Sequence, residues 1–102
     1  MKSVSSAGLA EKAAPFLAAL GNAKRLTIMY HLNDNELPVG VIAERVGLSQ
    51  SALSQHLARL RELGMVETRR DRQMIYYSCA RGLPQELLNA VNEIFRRAAS
   101  AS

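Results

Sequence analysis

Apolar positions recur at helical spacing through most of this chain and switch to alternation only once. Leu9, Ala13, Phe16, Leu17 and Leu20 trace a first stripe, from Ser6 as an N-cap to Gly21 as a helix stop. Pro15 lies inside that stripe, so a kink is expected there, or a helix that restarts with proline near its first turn. Asn22 caps a second predicted helix over about residues 23–33, with Leu26, Ile28, Met29 and Leu32 inward and Lys24 and Arg25 near its start. Pro38 is read into the first turn of a third helix, Val39 to Val46, closed by a tight turn at Gly47. Ser49 then caps a fourth helix that Gly64 ends, with Leu53, Leu57 and Leu60 on one face.

After Gly64 the period changes. Met65–Thr68 and Met74–Ser78 are β-rich runs on either side of a polar tip, Arg69–Gln73. A final helix is expected after Gly82 and Pro84, where Leu87, Leu88, Val91, Ile94, Phe95 and Ala98 recur at helical intervals. The third and fourth helices, joined by about three residues, make a helix-turn-helix, and the hairpin behind them makes a wing. The predicted fold is therefore mainly α with a small β-hairpin wing (α+β), in the order α-α-α-α-β-β-α. One domain over residues 6–100 follows a disordered tail at 1–5. The last helix carries more apolar surface than so small a domain can cover, so it and the first helix form the expected homodimer interface.

Composition narrows the partners. The chain has 102 residues, 48% hydrophobic and 22% charged, enough for one core and no more. Its formal net charge is +4. Six arginines against three acidic residues between Arg59 and Arg81 leave +3 of that in one segment, which suits a polyanion. The single cysteine, Cys79, permits neither an intrachain disulfide nor a cysteine-based zinc site. No apolar run approaches the roughly 20 residues of a membrane helix, and a cytoplasmic location is expected.

The chemistry concentrates on the fourth helix. Gln50, Ser51, Ser54 and Gln55 occupy the side opposite its leucines, near its N-terminal end, where a recognition helix meets base edges. Glutamine pairs bidentately with adenine and serine hydroxyls serve several edges or a phosphate, so half-sites containing A/T are expected. Ser49, His56 and Arg59 on the same helix, Lys24 at the start of the second, and Arg69, Arg70, Arg72 and Gln73 in the wing complete the DNA-contact set. At least one wing arginine is expected in the adjacent minor groove. Ser54 and His56 are two residues apart on a helix and point in different directions, and no phosphate-binding glycine loop is present, which disfavours catalysis. Two other readings stay open: a winged helix that only docks another protein, and a thiol-based regulator using Cys79 between subunits.

Three stretches carry a family likeness: G-N-A-K-R-L at 21–26, L-S-Q-S-A-L-S-Q-H-L-A-R-L-R-E-L-G-M-V at 48–66, and T-R-R-D-R-Q-M-I-Y-Y at 68–77. With them the chain resembles the ArsR/SmtB family of winged helix-turn-helix regulators, within it the subgroup of nodulation repressors and haemolysin-type regulators. The resemblance implies a homodimeric repressor on an imperfect inverted repeat. Metal-sensing members carry thiol ligands in the helix that here reads E-L-P-V-G-V-I, with Pro38 and Gly40 in their place. Others place Asp and His ligands in the last helix, which here offers Glu86, Asn89, Asn92 and Glu93 but no histidine. Oxidant-sensing relatives use a cysteine in the second helix and another in the last; the corresponding second-helix residue is Tyr30, and the last helix has none. No metal and no cofactor is expected.

Overall fold

The computed structural model describes residues 5–101. Its elements are α1 (Ser6–Leu20), α2 (Ala23–Leu32), β1 (Leu37–Pro38), α3 (Val39–Val46), α4 (Gln50–Glu62), β2 (Val66–Asp71), β3 (Met74–Cys79) and α5 (Leu83–Ala101). Residues 1–4 of the expected tail lie outside the described residues. Ser5, assigned to that tail, instead caps α1: its Oγ accepts from the Gly8 N–H at 3.1 Å. The cap is thus one residue earlier than the Ser6 expected from sequence.

Pro15 does not break α1, which runs as one helix through it. Proline withholds a donor from the carbonyl of Glu11, but Glu11 is exposed and water can take the bond. The second departure is at Pro38, which precedes α3 as its cap, with extended backbone at φ −77° and ψ 160°. With Leu37 it forms a two-residue strand that pairs antiparallel with β3, Leu37 opposite Tyr77 and Pro38 opposite Tyr76. The sheet therefore has three strands in the order β1-β3-β2. Two residues cannot display an alternating pattern, so nothing in the sequence announced β1.

The wing is longer in strand and shorter in turn than expected. Arg69 pairs with Tyr76, Arg70 with Ile75 and Asp71 with Met74, leaving only Arg72 and Gln73 at the tip. Arg72 holds φ at +59°, the left-handed region that a two-residue hairpin turn demands of its first central position. Gly47 and Gly64, at φ +70° and +71°, make the turns on either side of α4 without that strain.

One cluster of buried side chains sits beneath the helix-turn-helix. Ile28, Met29 and Leu32 of α2, Ile42 and Val46 of α3, Leu53, Leu57 and Leu60 of α4, and Met65, Val66 and Leu88 meet there. Every inward leucine assigned to α4 is at most 2% exposed. The apolar stripe thus fixes the helix's rotation, which sends its polar side outward. On α5 only Pro84 and Leu88 are buried, while Ile94 and Phe95 remain 53% and 69% exposed.

Candidate nucleic-acid interface

The two helices of the helix-turn-helix are locked at their junction. Ser49 Oγ accepts from the Ala52 N–H at 3.2 Å, fixing the first turn of α4. The α3 end is held from outside: Lys24 Nζ donates to the Val46 carbonyl at 3.3 Å. Lys24 is therefore a tie between α2 and the turn as well as a cation beside it. Asn22 caps α2 through the Arg25 N–H at 3.1 Å, so the start of that helix is anchored too.

From this frame Gln50, Ser51, Ser54 and Gln55 all project to solvent. Ser49 is exposed as well, and His56 is half-buried at the edge of the patch. None of the four polar side chains has a hydrogen-bond partner among the described residues. Their donors and acceptors are free to meet an external edge, while their helix is fixed by its buried leucines. Gln50 lies over α3, its Nε2 placed 3.9 Å from where a Cβ on Gly40 would stand.

The wing supplies the cations, but not uniformly. Arg70 Nε donates to the Arg72 carbonyl at 3.2 Å, bracing the turn, and neither arginine has a carboxylate partner among the described residues. Gln73 is exposed beside them. Arg69 is engaged elsewhere: its Nε donates to both carboxylate oxygens of Glu36, at 3.0 and 3.2 Å, and its guanidinium carbon sits 4.9 Å from the Tyr76 ring centroid. Hydrogen bonding and attraction to Glu36 raise its pKa above the usual arginine value. Arg59 forms an exposed i,i+3 pair with Glu62 at 3.2 Å. Tyr77, on the opposite face of β3 from Tyr76, packs against the core.

Between α4 and the wing runs a groove of about 360 Å³ lined by Ser54, Leu57, Ala58, Arg61, Glu62 and Tyr77. Arg61 was missing from the residues singled out by sequence. The signal was present, because Ser54, Ala58 and Arg61 fall at i, i+4 and i+7 on one helix face. Arg81, the last arginine of the basic segment, does not join this surface. It lines a separate polar cleft with Asp34, Glu36, Glu67, Cys79 and Gln85. Cys79 is buried, and burial first, then Asp34 and Glu67, push its thiol pKa above the usual value. A thiol held neutral and inward is a poor redox centre.

Among the described residues there is no group of three or more His, Cys, Asp or Glu side chains that could hold a metal ion, and no helix is long and apolar enough to cross a membrane. A second groove, of about 580 Å³, opens between α1 and α5, with an apolar lining that includes Leu9, Phe16, Leu17, Leu83 and Leu87.

Comparison with known proteins places this geometry. Residues 22–68 match the model of the bacterial regulatory proteins of the arsR family. The nodulation protein NolR of Rhizobium meliloti is 51% identical over 86 residues, which are 84% of this chain and 70% of that protein. The transcriptional activator HlyU of Vibrio cholerae is 41% identical, over 85% of this chain and 81% of the relative. A biofilm growth-associated repressor of Xylella fastidiosa is 37% identical, over 84% and 75%. Among solved structures, the homodimeric winged helix-turn-helix DNA-binding domain Mb0332 of Mycobacterium bovis superposes with a TM-score of 0.85 at 29% identity, covering 100% of this chain and 96% of that one. By sequence and by fold, the chain belongs to the arsR family of bacterial regulatory proteins, the winged helix-turn-helix transcriptional regulators.

Proposed function

We propose that this chain is a cytoplasmic homodimeric repressor that reads an imperfect inverted repeat in double-stranded DNA, without a metal, a cofactor or a catalytic activity. The observation that carries the reading is the row of unpartnered side chains on α4. Gln50, Ser51, Ser54 and Gln55 stand on a helix whose rotation is fixed by Leu53, Leu57 and Leu60. Such a surface gains little from water alone and has the donors and acceptors that base edges require. Arg70, Arg72 and Gln73 extend from the wing to the flanking backbone, and Lys24, Ser49 and His56 border the same side. Arg59 reaches it by giving up Glu62, an exchange that an exposed pair makes at little cost.

The dimer supplies the second half-site. The uncovered groove between α1 and α5, continued by Ile94 and Phe95, is apolar enough to close against its own copy. The homodimeric Mycobacterium bovis domain of the same fold supports that assembly. Two α4 helices then enter successive major grooves about 34 Å apart, and symmetry makes the site palindromic. Bound across a promoter, such a dimer blocks polymerase. The named relatives include both an activator and a repressor, so the direction is read from transcription itself.

Selection of bound duplexes from a random pool tests the reading, combined with sedimentation of the free protein. The expected product is an inverted repeat with A/T positions in each half-site, bound by a dimer, which lowers run-off transcription when placed over a promoter. A monomer at micromolar concentration with and without DNA, or a pool that yields no shared sequence, would overturn it. Increased transcription from the same template would assign the protein to activation.

A further inference from the structure

We propose that Glu36 is a positioning residue for DNA reading: it holds Arg69 as a brace between the wing and the helix-turn-helix, and thereby keeps that guanidinium off the DNA. The proposal rests on the DNA-reading function above and subdivides the wing's three arginines. Arg69 of β2, Tyr76 of β3 and Pro38 of β1 are successive cross-strand neighbours, one row across the whole sheet. The Arg69 side chain follows that row. Its guanidinium lies over the Tyr76 ring at 4.9 Å and ends on Glu36, two residues before Pro38, with Nε at 3.0 and 3.2 Å from the two carboxylate oxygens. One side chain thus reaches from β2 across β3 to the residue just before β1.

The far end of the brace is what gives it a function. Pro38 leads directly into Val39, the first residue of α3, so the Glu36 segment is the lead-in to the helix-turn-helix. The hairpin is otherwise joined to that lead-in by the two residue pairs of β1. A link from β2 over β3 to Glu36 therefore restrains the tilt of the wing relative to α3 and α4, and so where Arg70 and Arg72 can reach.

The same contact competes with a phosphate for Arg69: unlike Arg59, which meets one oxygen of Glu62, Arg69 meets both oxygens of Glu36 and lies on the Tyr76 ring. Its Nε–H is taken by Glu36 and one guanidinium face is covered by the ring, which leaves a phosphate only the Nη edge that faces away from the carboxylate. A phosphate approaching Arg69 also approaches Glu36, and the pair together presents no net charge to it. Arg70 and Arg72 differ, since neither has a carboxylate partner among the described residues. The wing accordingly offers two uncompensated arginines per protomer.

The test is the salt dependence of binding of the full-length protein to a duplex recovered by selection. Each phosphate neutralised contributes about 0.9 to the slope of log affinity against log salt. The Arg69→Ala protein is expected to bind several-fold more weakly with an unchanged slope, and Arg69→Lys to resemble it, because lysine keeps the charge but lacks Nε. Glu36→Gln frees the arginine and steepens the slope by about 0.9 per protomer. In the Arg69→Ala background the same Glu36→Gln change leaves the slope where it was. A slope flattened by Arg69→Ala and restored by Arg69→Lys would make Arg69 a direct phosphate contact and overturn the brace. Steepening by Glu36→Gln in both backgrounds would reduce Glu36 to a repelling charge near DNA, and no steepening in either would equally refute the proposal. A wild-type protein that selects no duplex removes the DNA-reading function itself, a failure visible before any variant is made.

Discussion

Replacing Arg72 by glycine separates what the wing tip costs the fold from what it gives to binding. Arg72 sits at φ +59°, where a side chain with Cβ is disfavoured by roughly 1–2 kcal/mol. Glycine removes that penalty but brings back about 0.5–1 kcal/mol of unfolded-state entropy. The Arg70 Nε bond to the residue 72 carbonyl survives, because the acceptor is backbone. The net expectation is a stabilisation of roughly 0.5–1 kcal/mol, about 2–8 °C in Tm for a domain of this size, read by thermal melting followed by circular dichroism. Binding moves the opposite way. On the proposed reading each protomer loses one phosphate contact, so a dimer loses about 1.8 from its salt slope. Between about 50 and 200 mM salt the ratio of wild-type to variant affinity therefore shrinks about tenfold, measurable by fluorescence anisotropy. An Arg72→Gly protein that melts lower than wild type would refute the strain argument. A slope identical to wild type would remove Arg72 from the phosphate contacts, and the strained turn would then lack a functional explanation.

Other outcomes follow from single contacts. Ser49→Ala removes the α4 cap and is expected to cost about 1 kcal/mol by chemical denaturation, weakening DNA binding in addition because the first turn carries Gln50 and Ser51. Leu53→Ala empties a site with 0% exposure and is expected to destabilise by about 2–5 kcal/mol, enough to lower the soluble yield; a loss under about 1 kcal/mol would contradict the packing described. Phe95→Asp places charge on the 69% exposed apolar ridge of α5, and sedimentation should then show monomer with normal helical content if that ridge closes the dimer. Cys79 should alkylate more slowly than a free thiol at the same pH. Because its folded pKa is raised above the ordinary 9.0, the stability it contributes is complete below that value and declines as pH rises through the folded one, so a melting temperature that rose with pH across this window on account of Cys79 would contradict its burial.

The readable parts of this molecule were those with a period. The leucines of α4 and the apolar faces of α2 and α3 repeat at helical spacing, and they landed in the core or, as with Leu26 and Val39, packed against it. The polar face of α4 was legible for the same reason, because fixing one side of a helix fixes the other. What escaped had no repeat to detect. β1 is two residues long and exists because β3 offers it an edge, and Pro15 stays helical because the carbonyl it deprives belongs to an exposed residue. Arg69 and Arg70 looked alike as neighbours in a basic run. Their difference is set by Glu36, a residue 33 positions from Arg69 in the chain and adjacent only across a folded sheet.

That difference bears on how the net charge should be interpreted. The segment from Arg59 to Arg81 carries +3 of the chain's net +4, yet three of its six arginines have acidic neighbours. Arg59 is paired with Glu62, Arg69 with Glu36, and Arg81 lines a cleft beside Asp34 and Glu67. Arg61, Arg70 and Arg72 remain without a carboxylate partner among the described residues, one on the groove between α4 and the wing and two near the wing tip. Within this segment, uncompensated arginines thus stand on the groove beside α4 and at the wing tip. On the proposed reading, these arginines draw a duplex toward the side that carries Gln50, Ser51, Ser54 and Gln55, so steering and base reading share one surface.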